Sequence, residues 1–313
     1  MLRSVVAYAP TRIDFVGGWT DVQPFCDEQA GLVVNAAFAL YTRVRVSPIM
    51  GAKTPSSEFA RAAQKRFGLT DVTVEITSEA PLGAGLGGSG AAGVALVGAL
   101  AAYANQSLHR AEIAELAHRI ELEDLGVLGG KQDQYAAAFG GFLALTFLGN
   151  EVGVEPILID SSRVQELEAR SVIVYTGQAR VSGDIHARVQ DAYKRRVPDT
   201  LDALETIRAV AKDFREQLQD GSLDALGELL NRNWDAQKRL HSATSNADIE
   251  NLFQRALKNG ALGGKALGAG GGGCLYFLAC EGETMRLQNA LREAGAEILP
   301  ARFDMEGLGV ESA

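Results

Sequence analysis

Cysteine is scarce in this 313-residue chain, and the three present (Cys26, Cys274 and Cys280) form no CxxC pair and no zinc-ligand spacing. That excludes a disulfide framework or a structural zinc site and suits a reducing cytoplasm. Positive charge is in deficit: 30 lysines and arginines face 39 acidic residues, for a net charge of −9. A chain so charged is a poor partner for nucleic acid or an anionic membrane. Any anionic ligand must then be held by local features such as backbone amides, a metal or a few placed arginines. No apolar run is long enough to span a bilayer, since the most apolar one, residues 91–104, is short and rich in alanine and glycine. Met1-Leu2-Arg3-Ser4 opens into a strand-like run rather than a signal sequence. The expectation is a cytoplasmic globular protein with neither a membrane nor a nucleic-acid partner. Nothing in the pattern speaks to an oligomeric state.

Glycine, by contrast, is abundant and concentrated. Residues 81–92 read Pro-Leu-Gly-Ala-Gly-Leu-Gly-Gly-Ser-Gly-Ala-Ala, and five of the eight from Gly83 to Gly90 are glycine. An Ala-rich helical run follows without a break. Glycine lets the backbone wrap a ligand with its N–H groups pointing inward. The helix start behind it adds unsatisfied donors and a partial positive charge. Gly83, Gly85, Leu86, Gly87, Gly88, Ser89 and Gly90 therefore form a candidate phosphate cradle made of main chain. Ser89, at the loop–helix junction, offers a hydroxyl to a phosphate-bound magnesium. A packing turn with Ser89 as a plain N-cap is the competing reading.

The length allows two domains, each with its own core. Strands are expected over residues 2–9, 40–47, 72–77, 142–147, 171–176 and 275–279. Helices are expected over 89–104, 110–125 and 132–139, then 185–219 with a break at Pro198, 222–241 and 247–259. The texture turns to polar helix near residue 165, which places a first domain over residues 1–165 and a second over 166–313. A second glycine tract, Gly268-Ala-Gly-Gly-Gly-Gly-Cys274, leads into the last of these strands.

Familiar phosphate motifs do not fit. Both tracts satisfy GxGxxG. Pro81, however, separates the first from its strand, and the residues 20 further on finish a helix where a dinucleotide fold wants an acid closing a strand. The second precedes a strand. Neither has the Gly-Lys-Ser/Thr ending of a Walker loop, and the His-Arg-Asp and Asp-Phe-Gly elements of protein kinases are missing.

Three segments in order carry a resemblance: Ala9-Pro-Thr-Arg-Ile-Asp-Phe-Val-Gly-Gly-Trp-Thr-Asp21, the loop of residues 81–92, and Leu267-Gly-Ala-Gly-Gly-Gly-Gly-Cys-Leu-Tyr276. They resemble the three motifs of the GHMP kinases, the superfamily of galactokinase, homoserine kinase, mevalonate kinase and phosphomevalonate kinase. Four segments look like its D-glycero-α-D-manno-heptose 7-phosphate kinase branch: Gly17-Gly-Trp-Thr-Asp-Val-Gln-Pro24, Gly129-Gly-Lys-Gln-Asp-Gln-Tyr135, Tyr175-Thr-Gly-Gln-Ala-Arg-Val-Ser182 and Gly260-Ala-Leu-Gly-Gly-Lys-Ala-Leu-Gly-Ala-Gly270. Trp19 departs from that branch, which carries glycine there. Gly18-Trp19 also replaces the Glu-His pair of galactokinases. Gly88 and Gly90 stand where relatives often carry serine.

The resemblance implies a two-domain α+β fold, with an N-terminal domain like ribosomal protein S5 domain 2 and a ferredoxin-like C-terminal domain. It implies ATP and Mg2+ as cofactors and a sugar or sugar phosphate as acceptor. Ser89 would ligate magnesium with a glutamate from the following helix. Periodicity leaves Glu121, Glu123 and Asp124 open, and the family spacing, five residues before a glycine, selects Glu121. Asp133, after a Gly-Gly break and at a helix start that favours an ionised carboxylate, would meet the acceptor hydroxyl. A carboxylate is a weak base for an alcohol, so it orients the hydroxyl and takes the proton late. Arg12 would face Asp133 and offset charge on the transferring phosphoryl group.

Asp21 would bind sugar hydroxyls, with Gly18, Trp19 and Thr20 completing that loop. The third motif would close over the site and bring Gly271 to the substrate. Lys131 and Arg180 are candidates for a substrate phosphate, as are Lys238 and Arg239. The reading is a MgATP-dependent kinase acting at an anomeric hydroxyl. Its alternatives are a kinase for galactose, arabinose or a uronic acid, a non-catalytic ATP- and sugar-binding regulator, and a nicotinamide dehydrogenase.

Overall fold

A computed structural model describes residues 4–49, 57–178 and 182–312. Its strands are β1 (Val5–Val16), β2 (Gly31–Pro48), β3 (Val72–Ser78), β4 (Phe142–Leu148), β5 (Glu151–Pro156), β6 (Ser171–Tyr175), β7 (Ala261–Ala266), β8 (Cys274–Ala279), β9 (Glu297–Leu299) and β10 (Gly309–Ser312). The helices of the first half are α1 (Phe25–Glu28), α2 (Glu58–Arg66), α3 (Gly88–Tyr103), α4 (Arg110–Arg119), α5 (Gln132–Phe139) and α6 (Ser161–Arg170). Those of the second are α7 (Ser182–Lys194), α8 (Pro198–Leu218), α9 (Leu223–Leu240), α10 (Ala247–Lys258) and α11 (Thr284–Glu293).

Two antiparallel sheets organise these elements into an α+β fold. One runs β10-β1-β2-β4-β5, with β3 pairing the far half of β2; the other runs β7-β8-β6-β9. Numbered within its own unit, the second sheet reads 2-3-1-4, the order of the ferredoxin-like fold named above. β2 is long enough to serve two partners, Gly31–Ala36 against β4 and Thr42–Pro48 against β3.

Helix α3 is apolar all round, and eleven of its residues are buried. A helix without a polar face belongs inside a protein core. It lies in the first sheet's main core with Val5, Val44 and Val46 of the strands and Ile113 and Ala117 of α4. That position fixes where its N-terminus, and hence the glycine loop, opens.

Each half has an apolar cluster of its own, with Val94, Leu96 and Leu145 in the first and Val172, Phe253 and Phe277 in the second. A further apolar cluster joins Phe15, Phe38 and Phe142 of the first sheet to Phe214, Leu218 and Tyr276 of the second half. Phe15 sits at its centre, with ring centroids 5.6 Å from Phe214 and 5.4 Å from Tyr276. The first sheet also takes its edge strand, β10, from residues that a cut at 165 assigns to the second half. Among the described residues no helix is long and apolar enough to cross a membrane, and Cys26, Cys274 and Cys280 are unbridged.

Candidate active site

The glycine loop lines a cavity of about 410 Å³. Gly83, Gly85 and Gly87 alternate with other residues and take φ of +68°, +76° and +73°, a left-handed conformation open chiefly to glycine. The carbonyls of the loop are spent on the protein. Ala84 O accepts from Cys274 N at 2.7 Å, Leu86 O from Arg12 N at 2.9 Å, and Gly85 O from Arg12 Nη1 at 2.6 Å. The amides of Gly85, Leu86 and Gly87 meet no protein acceptor among the described residues. Gly87 is the N-cap of α3, so the first-turn amides of the helix continue the row of donors. The result is an anion cradle of main-chain N–H groups, gripped from behind by the first and third glycine-bearing segments.

Asp133 stands in the first turn of α5 beside this cradle. Arg12 Nε and Nη2 both donate to its Oδ1 at 2.8 Å. Oδ2 is therefore the oxygen that can meet an acceptor hydroxyl. The guanidinium is 5% exposed and the carboxylate 25%, so the pair is fixed while its working side stays open. Gly90 is explained by the same contact: a Cβ there would lie 2.6 Å from Asp133 Cβ. A serine at position 90 would displace the aspartate.

Glu121 is reached by a break in helical geometry. α4 ends at Arg119, and Ile120–Asp124 continue as a π-turn, a form that often marks functional sites. The wider turn leaves Glu121 buried. Glu123 and Asp124 instead face out and pair with Arg66 at 2.7 and 2.9 Å. Glu121 accepts hydrogen bonds from Ser89 and Gln134. Burial first, and then the charge of Asp133, push its pKa up to about 7 against the pull of those bonds. His118, one turn earlier, also lines the cavity, and burial, with the charge of Lys131, lowers its pKa.

Asp21 also lines the cavity and accepts from Gln132 N and Nε2, each at 3.3 Å. Burial and the nearby charge of Asp133 raise its pKa to about 7. The native state therefore holds a proton there between pH 4 and 7 that the unfolded chain has released. Stability should accordingly fall as pH rises through that window and level off above it. Thermal melts of the ligand-free protein from pH 5 to 8 should show Tm declining toward neutrality, with a shallower decline for Asp21→Asn. A Tm that climbs over this range, or identical slopes, would refute the assignment.

The remaining expected residues divide. Thr20 braces its loop, donating from Oγ1 to Gly17 O at 2.7 Å and accepting from Leu32 N at 3.0 Å. Trp19 lines the cavity. Gly18 lies behind it against Asp14. Of the third motif, Gly268 and Ala269 reach the cavity, while Gly271 packs on Ala243 and Ile185 behind them. Lys131 has partners within the protein. Its ammonium binds both carboxylate oxygens of Glu115 at 3.0 Å and Asn150 O at 3.2 Å, outside the cavity lining. Glu115 on α4 supplies the charge that pairs with it. Lys238 pairs with Asp235, and Arg239 with Asp202. Arg180 lies outside the described residues.

Sequence reasoning missed three residues at the site. Asp14 and Lys265 form a buried ion pair across the two halves, Oδ2 to Nζ 2.9 Å, with Asp14 on the cavity wall. His186 of α7 lies against Trp19, ring centroids 4.6 Å apart. An aspartate inside an apolar strand and a lysine between Gly263-Gly264 and Ala266-Leu267 were signals of burial with a partner. Nothing in the sequence said which partner.

Comparison with known proteins gives this geometry a family. Residues 56–141 match the GHMP kinases N terminal domain, and residues 214–297 match the GHMP kinases C terminal domain. The chain is 31% identical to the D-glycero-alpha-D-manno-heptose 7-phosphate kinase of Campylobacter jejuni, over 98% of each sequence. It is 32% identical to the mevalonate kinase of Pyrococcus abyssi, over 80% of this chain and 70% of that one. A crystal structure of a D-glycero-D-manno-heptose 1-phosphate kinase from Bacteroides thetaiotaomicron superposes with a TM-score of 0.77 at 26% identity, covering 98% of both chains. An amide cradle backed by Arg12 and Asp133 and these matches agree: the chain belongs to the GHMP kinases, a family of ATP-dependent kinases.

Proposed function

We propose that this kinase transfers the terminal phosphoryl group of MgATP to the anomeric hydroxyl of a sugar. The observation that carries the reading is Asp133, held through Oδ1 by Arg12 at the edge of the amide cradle. Its Oδ2 orients the acceptor oxygen and takes its proton as the new P–O bond forms. An anomeric hydroxyl is more acidic than an ordinary alcohol and so suits a weak base. Arg12 and the loop amides stabilise the negative charge of the transferring group. Asp21 holds sugar hydroxyls beside it. The similarity to two heptose phosphate kinases supports a sugar acceptor.

Ser89 and Glu121 fit a magnesium ion, since a hydroxyl and a buried carboxylate lie within hydrogen-bond reach of each other. Among the described residues no group of three or more His, Cys, Asp or Glu converges on a metal site. The ion would therefore be held mostly by nucleotide phosphates, as Mg2+ commonly is, and would offset their charge when bound. Glu121→Gln should raise the magnesium concentration needed for half-maximal activity by about tenfold, whereas Glu123→Gln should not. Equal magnesium titrations for the two variants would remove Glu121 from this role.

The heptose 7-phosphate reading needs a cation for the far phosphate. Among the described lining residues the only arginine or lysine is Arg12, which is already bound to Asp133. That leaves Arg180. The test compares sugars with their terminal phosphate esters and locates the new phosphate by phosphorus NMR. A phosphorylated heptose or hexose should be preferred roughly tenfold to a few hundredfold, with Arg180→Gln erasing the preference. A product phosphorylated away from C1 would overturn the anomeric assignment. Preference for the plain sugar would overturn the 7-phosphate reading alone.

A further inference from the structure

Gln134 of α5 is a buried side chain that the chemistry just described leaves without a role. It follows Asp133 directly and is 3% exposed. Its Nε2 donates to Glu121 Oε2. Its Oε1 carbonyl accepts from no donor among the described residues. A buried amide carbonyl without a partner is destabilising, and an apolar side chain of similar shape would avoid that penalty. Stability therefore does not explain a glutamine at this position. The donor it holds out to Glu121 does.

The chemistry of that donor is informative. A lysine or arginine would also hold a carboxylate, but it would offset the charge that a cation requires. A glutamate would set a second acid against Glu121. An amide is neutral, so it fixes one oxygen of the carboxylate and leaves the charge in place. The main chain of Glu121 has anchors of its own. Its carbonyl accepts from Val127 N at 2.9 Å, and Glu123 and Asp124 of the same π-turn are bound by Arg66 of α2. The side chain depends instead on Ser89 and Gln134. Ser89 is itself a magnesium ligand in the reading above, which leaves Gln134 as the donor with no other task.

We infer that Gln134 is a positioning residue, which locks the Glu121 carboxylate for magnesium and ties its place to that of Asp133 on the same helix turn. Ion and acceptor hydroxyl are then set in register by neighbouring residues of α5. The inference rests on the magnesium role proposed for Glu121 and deepens it.

The test uses Mn2+ in place of magnesium, its binding to the protein with a non-hydrolysable ATP analogue read by electron paramagnetic resonance, without turnover. Gln134→Met keeps the length of the side chain and loses the donor. It should weaken Mn2+ binding by about three- to tenfold, the low end of what outer partners of metal ligands contribute. Gln134→Asn, whose amide is withdrawn by one carbon, should show a similar loss, and it carries the comparison if the methionine variant fails to fold. Without metal, the analogue should bind every variant to within about twofold of the wild type. A double-mutant cycle separates positioning from general damage. In a Glu121→Gln background, Gln134→Met should weaken Mn2+ binding no further, because the group it positions is gone. An undiminished loss in that background overturns the inference. So does wild-type Mn2+ binding in both Gln134 variants while Glu121→Gln is impaired. Wild-type binding in Glu121→Gln itself overturns the magnesium reading beneath, and this inference with it.

Discussion

Asp133→Asn should lower kcat by about 10²–10⁴, the usual contribution of a positioned acid–base group. The amide preserves shape but loses the proton acceptor and weakens both bonds from Arg12 Nε and Nη2. ATP affinity should barely change, because the cradle carbonyls are held by Cys274 and by the Arg12 main chain and Nη1, independently of Asp133. Steady-state kinetics with a nucleotide-binding titration separate the two quantities. Retention of more than a tenth of wild-type kcat would sink the assignment. The circular dichroism spectrum and Tm should stay near wild type, since the carboxylate is partly open to solvent.

Lys265→Met should have the largest effect on stability. Its ammonium and the Asp14 carboxylate are each 1% exposed, so removing one leaves the other charged in a dry interior. Breaking such a pair costs about 3–5 kcal/mol, whereas replacing both members with apolar groups is far milder. A drop in Tm of roughly 5–10 °C is expected for the single variant. The double variant Asp14→Ala/Lys265→Met should recover most of it. Differential scanning calorimetry of the three proteins gives the comparison. If the single variant melts like wild type, the pair is not the junction between the halves that its position indicates.

Several features were legible because they depend on local rules. The loop of residues 83–90 announced itself through glycine density, and α5 through the Gly-Gly break before it. The first half of β2, residues 31–39, was missed for a physical reason: Val33, Val34, Asn35, Ala36 and Ala37 are all buried, so the strand lacks polar alternation. Glu121 was placed by family spacing, because a regular helix through Leu125 cannot distinguish it from Glu123. The π-turn at Ile120–Asp124 makes that distinction, and no propensity encodes it. The Glu115 partner of Lys131 was not legible, because a lysine in a motif carries no sign of the carboxylate that the fold brings to it. Asp14 and Lys265 stand 251 positions apart, a separation over which a single sequence carries no pairing signal.

The closing strand has a consequence for how the chain is made. β10 pairs with β1 through Val5–Ser312 to Tyr8–Gly309, and Asp304 accepts a hydrogen bond from Tyr41 at 2.7 Å. During synthesis from the N-terminus, the first sheet is finished only after residue 312 has left the ribosome. Until then β1 presents an open edge, the kind of backbone that recruits other strands. Native pairing across so long a separation is slow to form. The nascent first half is therefore the aggregation-prone species, and a fragment stopping near residue 165 should share that fate. Supplying the missing edge as a separate peptide spanning residues 300–313 is a route to keeping such a fragment in solution.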